Sequence, residues 1–371
     1  MSENTNHELI NNDEESLVSE ITTARNSLTT DRLDMSFGEI MSMYENKEIV
    51  IRPDFQRLFR WTIIQQTKFI ESILLGIPIP SIFVAEDKSG RWELVDGLQR
   101  ISTVLSFFGI LRQEDLGKGE SITKNNWTLV EGDLVTALEG YNKDSLPTKY
   151  LLNIKRSSCR IEIIKWDSQW DMRYELFSRL NTGGSALTDQ EIRNCIFRGG
   201  LKEFYDFIEE ATENEIFKKL TALTTKQISE LYLQELVVRF CSLVFDWENV
   251  DSSISLYMTS YMQKMQSEKR DLEQKTKDIF YKVLDLLKDF DPSIFRYPQS
   301  NVFSSTLYDG ILMGLAHNIE KYEQKNAIIL DKINILKSDN EFRQNSGPAS
   351  NSKNRTTRRI RRAIGVFDNA N

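Results

Sequence analysis

Between residues 62 and 108 the chain spells out a helix, a hairpin and a second helix, which leaves few folds open. "TIIQQTKFIESILLG" (62–76) has helical periodicity and is stopped by Gly76 and Pro78. "IPSIFVAE" (79–86) and "RWELV" (91–95) are short strand-like runs joined by a turn over Asp87–Gly90. From Ile101 the pattern is helical again, with Ile101, Val104, Leu105 and Phe108 on one face. Strands are expected at "EIVIR" (48–52) and "CRIEIIKW" (159–166), and helices at "SQWDMRYELFSRL" (168–180) and "DQEIRNCIF" (189–197). Mixed in this way, they predict an α+β domain around a small mixed sheet over residues 31–200.

The flanks differ. Residues 1–30 read as a disordered acidic tail with a short helix near Leu17–Ala24, and 111–150 as a polar excursion. Past Gly199 and Gly200 the patterns become long and helical, at 226–247, at 254–290 (with a break) and at 305–327, giving a helical domain over 201–344. "NSGPASNSKN" (345–354) reads as a linker to a basic C-terminal segment, so that 345–371 stands apart.

Composition removes whole classes of chemistry. The chain is 40% hydrophobic and 27% charged, the balance of a globular protein. No apolar run approaches the ~20 residues of a membrane span, and no secretory signal is expected from the acidic N-terminus. Three dispersed cysteines (Cys159, Cys195, Cys241) form no framework, which points to a reducing, cytoplasmic compartment. The two histidines are His7 and His317, too few for a histidine metal site, a histidine triad or an HNH nuclease centre. No metal ligands can be picked from the 55 acids. The net charge of −8 argues against a DNA-coating protein, yet "SKNRTTRRIRRAIGVFD" carries six bases against one acid. Arg358, Arg359, Arg361 and Arg362 are therefore candidates for contact with DNA or an acidic partner, a solvated helix face being the plain alternative.

Three stretches are candidates for chemistry. In "ELVDGLQRISTV", Asp96 and Gln99 have capping-box spacing and Gly97 permits a tight turn. Arg100 is left over, since a cation in the first turn of a helix is disfavoured without an anion nearby. An anion at that N-terminus would use the backbone N–H groups, the glycine and the guanidinium together. "NTGG" (181–184) is either a plain turn or a nest of N–H groups for a second side of the same anion, ahead of a capping box from Thr188 to Glu191. In "IRPDFQRLFRW", Gln56 and Arg57 can reach a ligand, while Phe55, Phe59 and Trp61 are favoured as core.

"RPDFQRLFRW", "ESILLGIPIPSIFV", "LVDGLQRISTV" and "RLNTGGSALTDQEIRN", in this order, resemble the domain at the N-terminus of GmrSD-type restriction enzymes, distantly similar to the ParB/sulfiredoxin fold. The resemblance covers about residues 35–200. It implies nucleotide binding, NTP hydrolysis in some members, and service in defence against foreign DNA. Gln56, Arg57, Asp96, Gly97, Gln99, Arg100, Asn181, Thr182, Gly183 and Gly184 would then hold the nucleotide, with Mg²⁺, and Asp96, Gln99 and Arg100 would carry catalysis. The family's D-G-Q-Q-R becomes D-G-L-Q-R here, so Leu98 stands where an amide is usual.

Three functions remain open from the sequence. One is a slow NTPase acting as sensor or switch of a restriction or phage-defence system. Another is a ParB-like DNA-binding or DNA-nicking module with the basic terminus as its electrostatic foot. The last is a non-catalytic adaptor for a separate nuclease subunit.

Overall fold

The computed structural model describes residues 17–23, 25–26, 29–51, 61–112, 125–165, 168, 176, 187–198, 200–270, 273–322, 326–347 and 349–368. The chain divides into two compact units, Met1–Ala186 and Leu187–Asn371.

In the first unit the elements follow as β1 (Thr30–Ser36), α1 (Phe37–Glu45), β2 (Ile49–Val50), α2 (Ile63–Leu75), β3 (Ile82–Glu86), β4 (Trp92–Asp96), α3 (Leu98–Phe107), α4 (Thr148–Arg156) and β5 (Ser158–Ile164). The strands form one mixed sheet in the order β1-β5-β3-β4-β2. β3 is antiparallel to β4 and parallel to β5, β1 is antiparallel to β5, and β2 is parallel to β4. The expected α+β architecture is therefore present. Local chemistry explains the elements that were legible. Thr62 and Gln65 close a capping box at the start of α2, and Gly76 ends that helix at φ 72°, a left-handed conformation that suits glycine. Asp87 ties the β3–β4 turn by accepting from the backbone N–H groups of Ser89 and Arg91 at 2.7 and 3.0 Å.

Two elements of this unit escape the sequence pattern. β1 buries only Met35, because it is an edge strand whose other side chains face water. Its pairing comes from charge: Arg32 lies opposite Glu162 and Asp34 opposite Arg160 in register, with ion pairs of 3.0 and 3.2 Å. The polar excursion leads into α4, which starts within it at Thr148 and buries Ile154 alone. Ahead of it, the buried carboxylate of Glu71 accepts from the N–H groups of Leu134 and Val135 at 2.8 and 2.7 Å and so fastens that loop to α2. Residues 17–23 of the acidic tail are helical, as expected.

The second unit is helical: α5 (Asp189–Phe197), α6 (Lys202–Glu213), α7 (Glu215–Thr221), α8 (Thr225–Ser229), α9 (Tyr232–Leu243), α10 (Ile254–Ser267), α11 (Gln274–Leu287), α12 (Ser305–Ala316), α13 (Ile319–Tyr322), α14 (Asn326–Ser338), α15 (Asn340–Gln344) and α16 (Lys353–Asp368). The single helix expected over 226–247 is broken at Leu231, which adopts φ 57° between α8 and α9. The compact units part after Ala186 rather than near Gly199, and the reason is α5. Its Gln190, Glu191, Arg193 and Asn194 are all fully buried. Arg193 donates to Gln190 (2.9 Å), to the Ser255 carbonyl and hydroxyl (3.3 and 3.2 Å) and to Glu235 (3.1 Å), while Asn194 donates to Gln234 (2.7 Å). A polar helix face satisfied by α9 and α10 belongs with them.

The C-terminal segment is likewise not a separate appendage. α16 packs on α12, where Gly314 leaves room that a Cβ would take from the Phe367 ring. Between these helices lies a buried triad. Arg239 donates to both oxygens of Asp309 at 2.5 and 2.8 Å, and Arg359 donates to Oδ2 of the same carboxylate at 3.0 Å. Burial works against both guanidinium charges. For Arg239 the two-point pairing with Asp309 outweighs it and the pKa lies above the usual value, whereas for Arg359 burial wins and the pKa lies below. The linker residues supply further acceptors: Asn345 and Ser350 carbonyls take Arg359 Nη1 at 3.1 and 2.8 Å, and Asn351 Oδ1 takes Arg239 at 3.2 Å. Arg359 Nε is buried and has no partner among the described residues.

Asp309→Ala would leave two buried guanidinium groups without their shared anion and is expected to lower the unfolding free energy by about 3–5 kcal/mol in urea denaturation. A second test is acid sensitivity. The hydrogen bond from Arg362 holds the Asp339 carboxyl below the ordinary range. A depressed folded pKa gives stabilisation that is complete above the unfolded value of about 3.9 and fades as pH falls through the folded one. The Tm deficit of Arg362→Gln relative to wild type should therefore shrink between pH 6 and pH 2.

Candidate functional site

β4 ends at Asp96, the chain turns at Gly97, and α3 begins at Leu98. Gly97 has φ +100°, and a Cβ there would meet Cγ1 of Ile82 at 2.9 Å. Both the conformation and the close approach to β3 require glycine. The expected capping box from Asp96 to Gln99 is not formed. Gly97 itself occupies the N-cap, and among the described residues no side chain caps the helix. The reason lies in where the two side chains go. Asp96 Oδ2 accepts from Arg100 Nη2 at 2.5 Å, and Gln99 Oε1 accepts from the Trp61 backbone N–H at 3.1 Å. The first intrahelical bond runs from Ile101 N–H to the Gly97 carbonyl at 2.9 Å, so the amides ahead of it lie in the turn without a side-chain cap.

Arg100 braces the turn from the other side. Its Nη1 donates to the carbonyls of Pro80 and Ser81 at 2.6 and 3.0 Å, just ahead of β3. The side chain is 12% exposed, while that of Asp96 is 51% exposed. A cation in the first turn of a helix is thus offset within the protein, by one carboxylate and two carbonyl dipoles. Two of its five N–H donors, Nε and the second hydrogen of Nη2, have no partner among the described residues. The positive charge is also felt on β5: burial pushes the Cys159 thiol up to about 11, with Arg100 pulling in the opposite direction. Cys159 therefore stays a neutral thiol near pH 7.

Leu98 is 4% exposed and packs in the hydrophobic core. A glutamine at this position would enter the core rather than reach a ligand. Trp61 packs against the same core, its ring 5.4 Å from that of Phe69, in keeping with a core reading of that aromatic. Gln56 and Arg57, Phe55 and Phe59, and Asn181, Thr182, Gly183 and Gly184 lie outside the described residues. Asp96, Gly97, Gln99 and Arg100 are adjacent on one turn. Among the described residues there is no group of three or more His, Cys, Asp or Glu that could hold a metal ion, and no helix long and apolar enough to cross a membrane.

The four C-terminal arginines are not equivalent. Arg359 is fully buried in the triad and cannot meet DNA or a partner. Arg362 is paired with Asp339 at 2.6 Å, and Arg361 lies over the Trp247 ring at 5.6 Å. Arg358 and Arg361 share an exposed face of α16. Sequence reasoning also missed the partners of the turn, the Pro80 and Ser81 carbonyls and the Trp61 N–H, because backbone groups carry no sequence signature. The buried polar face of α5 had a signal, five polar residues within "DQEIRN", but the same pattern ordinarily marks a solvent face.

Gly97→Ala is expected to cost about 1–3 kcal/mol, through the positive φ and the Ile82 contact. Urea denaturation of the variant beside Gly76→Ala, whose added Cβ meets nothing within 4 Å, separates the two contributions.

Residues 37–198 match the family model described as the GmrSD restriction endonuclease, N-terminal domain. Neither the curated proteins nor the solved structures give a significant match. The matched region includes the stretch from Asp96 to Arg100, β4 before it, α3 after it and the buried polar face of α5. Residues 37–198 of this chain carry a GmrSD-type N-terminal domain.

Proposed function

We propose that the chain is the nucleotide-binding component of a restriction or phage-defence system, with the phosphates of a nucleoside triphosphate seated on the N-terminus of α3. The observation that carries this reading is the turn at Gly97: a helix of ten residues opens without a side-chain cap, directly behind a glycine at φ +100°. Amides in that setting form an anion site, and the helix dipole adds to it. The two uncommitted donors of Arg100 supply charge-assisted hydrogen bonds from the side. Gln56, Arg57 and the Asn181–Gly184 loop complete the grip in this proposal, as the family resemblance implies. ATP, GTP and CTP are all compatible with it.

Hydrolysis on this arrangement is slow. Asp96 or Gln99 would orient the attacking water. Both are engaged, Asp96 by Arg100 and Gln99 by the Trp61 N–H, so turnover waits on their release. A magnesium ion arriving with the triphosphate would neutralise phosphate charge, and the half-exposed Asp96 is the carboxylate at hand on the turn. With His317 the one histidine beyond the acidic tail, DNA cleavage by an HNH centre falls to a separate nuclease component. This makes the chain a sensor or switch.

A second reading, direct contact with DNA, is favoured by one observation, the exposed face of α16 that presents Arg358 and Arg361 together. It is a smaller electrostatic foot than the sequence suggests, because Arg359 and Arg362 are committed within the protein.

Titration calorimetry of wild type and Arg100→Ala with ATP, GTP and CTP plus Mg²⁺ tests the first reading. Saturable binding of at least one nucleotide is expected, weakened tenfold or more in the variant, with melting curves run alongside to show that the variant is folded. No binding by wild type, or equal binding by a folded Arg100→Ala, sinks it. For the second reading, Arg358→Gln/Arg361→Gln should make the slope of log K against log salt shallower by about 2.

A further inference from the structure

A groove of about 550 Å³ lies in the first unit between α1, the end of α3 and α4. Its walls include Met41, Phe108, Ile110, Leu151 and Leu152, and Lys143 and Lys155 stand among them. Lys155 Nζ is 5.3 Å from the centre of the Phe108 ring. Glu45 is the one carboxylate among the lining residues. The groove is apolar at its base, positively charged at its sides, and lies at the opposite end of α3 from the Gly97 turn.

The same unit displays the complementary surface. The helix over residues 17–23 leaves Leu17, Val18 and Ile21 at 56%, 57% and 48% exposure. These positions, i, i+1 and i+4, share one helix face. Around them the chain is acidic: Asp13, Glu14, Glu15 and Glu20 fall in this stretch, and residues 1–20 contain no lysine or arginine. An apolar stripe flanked by carboxylates matches an apolar groove flanked by ammonium groups. Nucleic acid matches it poorly, since a phosphate chain has no use for the five apolar walls.

We propose that the acidic N-terminal segment centred on Leu17–Ile21 docks into this groove, its apolar face against the half-buried Ile110 and Leu151 and the exposed Leu152, and its carboxylates toward Lys143 and Lys155. Covering both exposed apolar faces at once supplies the driving force, and the charges select the occupant. Reach is no obstacle. Thr30 lies at the far end of β1 from α1, about 20 Å away at strand spacing. The stretch from Ile21 to Thr30, helical at 22–23 and 25–26, spans about 20 Å. The groove of a second copy is equally accessible to so long an arm.

Disulfide trapping in the full chain tests the docking. The native cysteines Cys159, Cys195 and Cys241 are buried, so engineered pairs react without them. Val18→Cys with Ser42→Cys, which lines the groove, should cross-link under a glutathione buffer at least tenfold faster than Val18→Cys with Ser89→Cys in the exposed β3–β4 turn. Adding Lys143→Glu and Lys155→Glu should slow the first pair threefold or more, and Glu20→Lys should recover part of the loss. A cross-link within one chain or between two chains supports the proposal equally, and a non-reducing gel tells them apart. Equal rates for the Ser42 and Ser89 pairs, or indifference to the charge reversal, overturn it.

Discussion

A guanidinium taken out of water needs acceptors for most of its donors, and that requirement shapes both units of this protein. Arg100 joins the ends of β3 and β4 through two carbonyls and Asp96. Arg193 gathers α5, α9 and α10 around its five donors. Arg239 and Arg359 share Asp309 and draw the Asn345–Asn351 stretch over themselves. Each is held by several hydrogen bonds because a buried charge with fewer would be costly. The helices and strands are placed so that the acceptors arrive.

At the candidate site this requirement has a functional consequence. Had Asp96 capped α3, its carboxylate would occupy the proposed anion position. Arg100 instead draws Asp96 away, Trp61 engages Gln99, and Gly97 stands at the N-cap of the helix. The same contacts hold the side chains proposed for catalysis in structural work. On the proposed function, such a site suits ligand-dependent switching better than rapid turnover.

The C-terminal helix illustrates how composition misleads about surface. Six bases in one segment suggest an electrostatic foot, yet α16 is amphipathic and its buried face includes an arginine. Helical periodicity places Arg359 with Ile360, Ala363 and Phe367 on the core side, and only the Asp309 carboxylate on α12 makes that burial tolerable. The positive charge left to solvent is carried by Arg358, Arg361 and the flanking Lys353.

Local signals were sufficient for α2, the β3–β4 hairpin and α5, since caps, turn residues and periodicity act within a few residues of one another. The glycine of the candidate turn and the identity of its neighbours were likewise legible before any coordinates. Tertiary structure decided the rest. β1 is held by cross-strand ion pairs with a partner more than 120 residues away, α8 and α9 are separated by one residue at positive φ, and the polar face of "DQEIRN" is turned inward by partners on α9 and α10. Sequence alone determined which residues could form a turn for an anion. Whether Asp96 would cap that turn or pair with Arg100 depended on carbonyls at Pro80 and Ser81, long-range contacts whose energies no local pattern encodes.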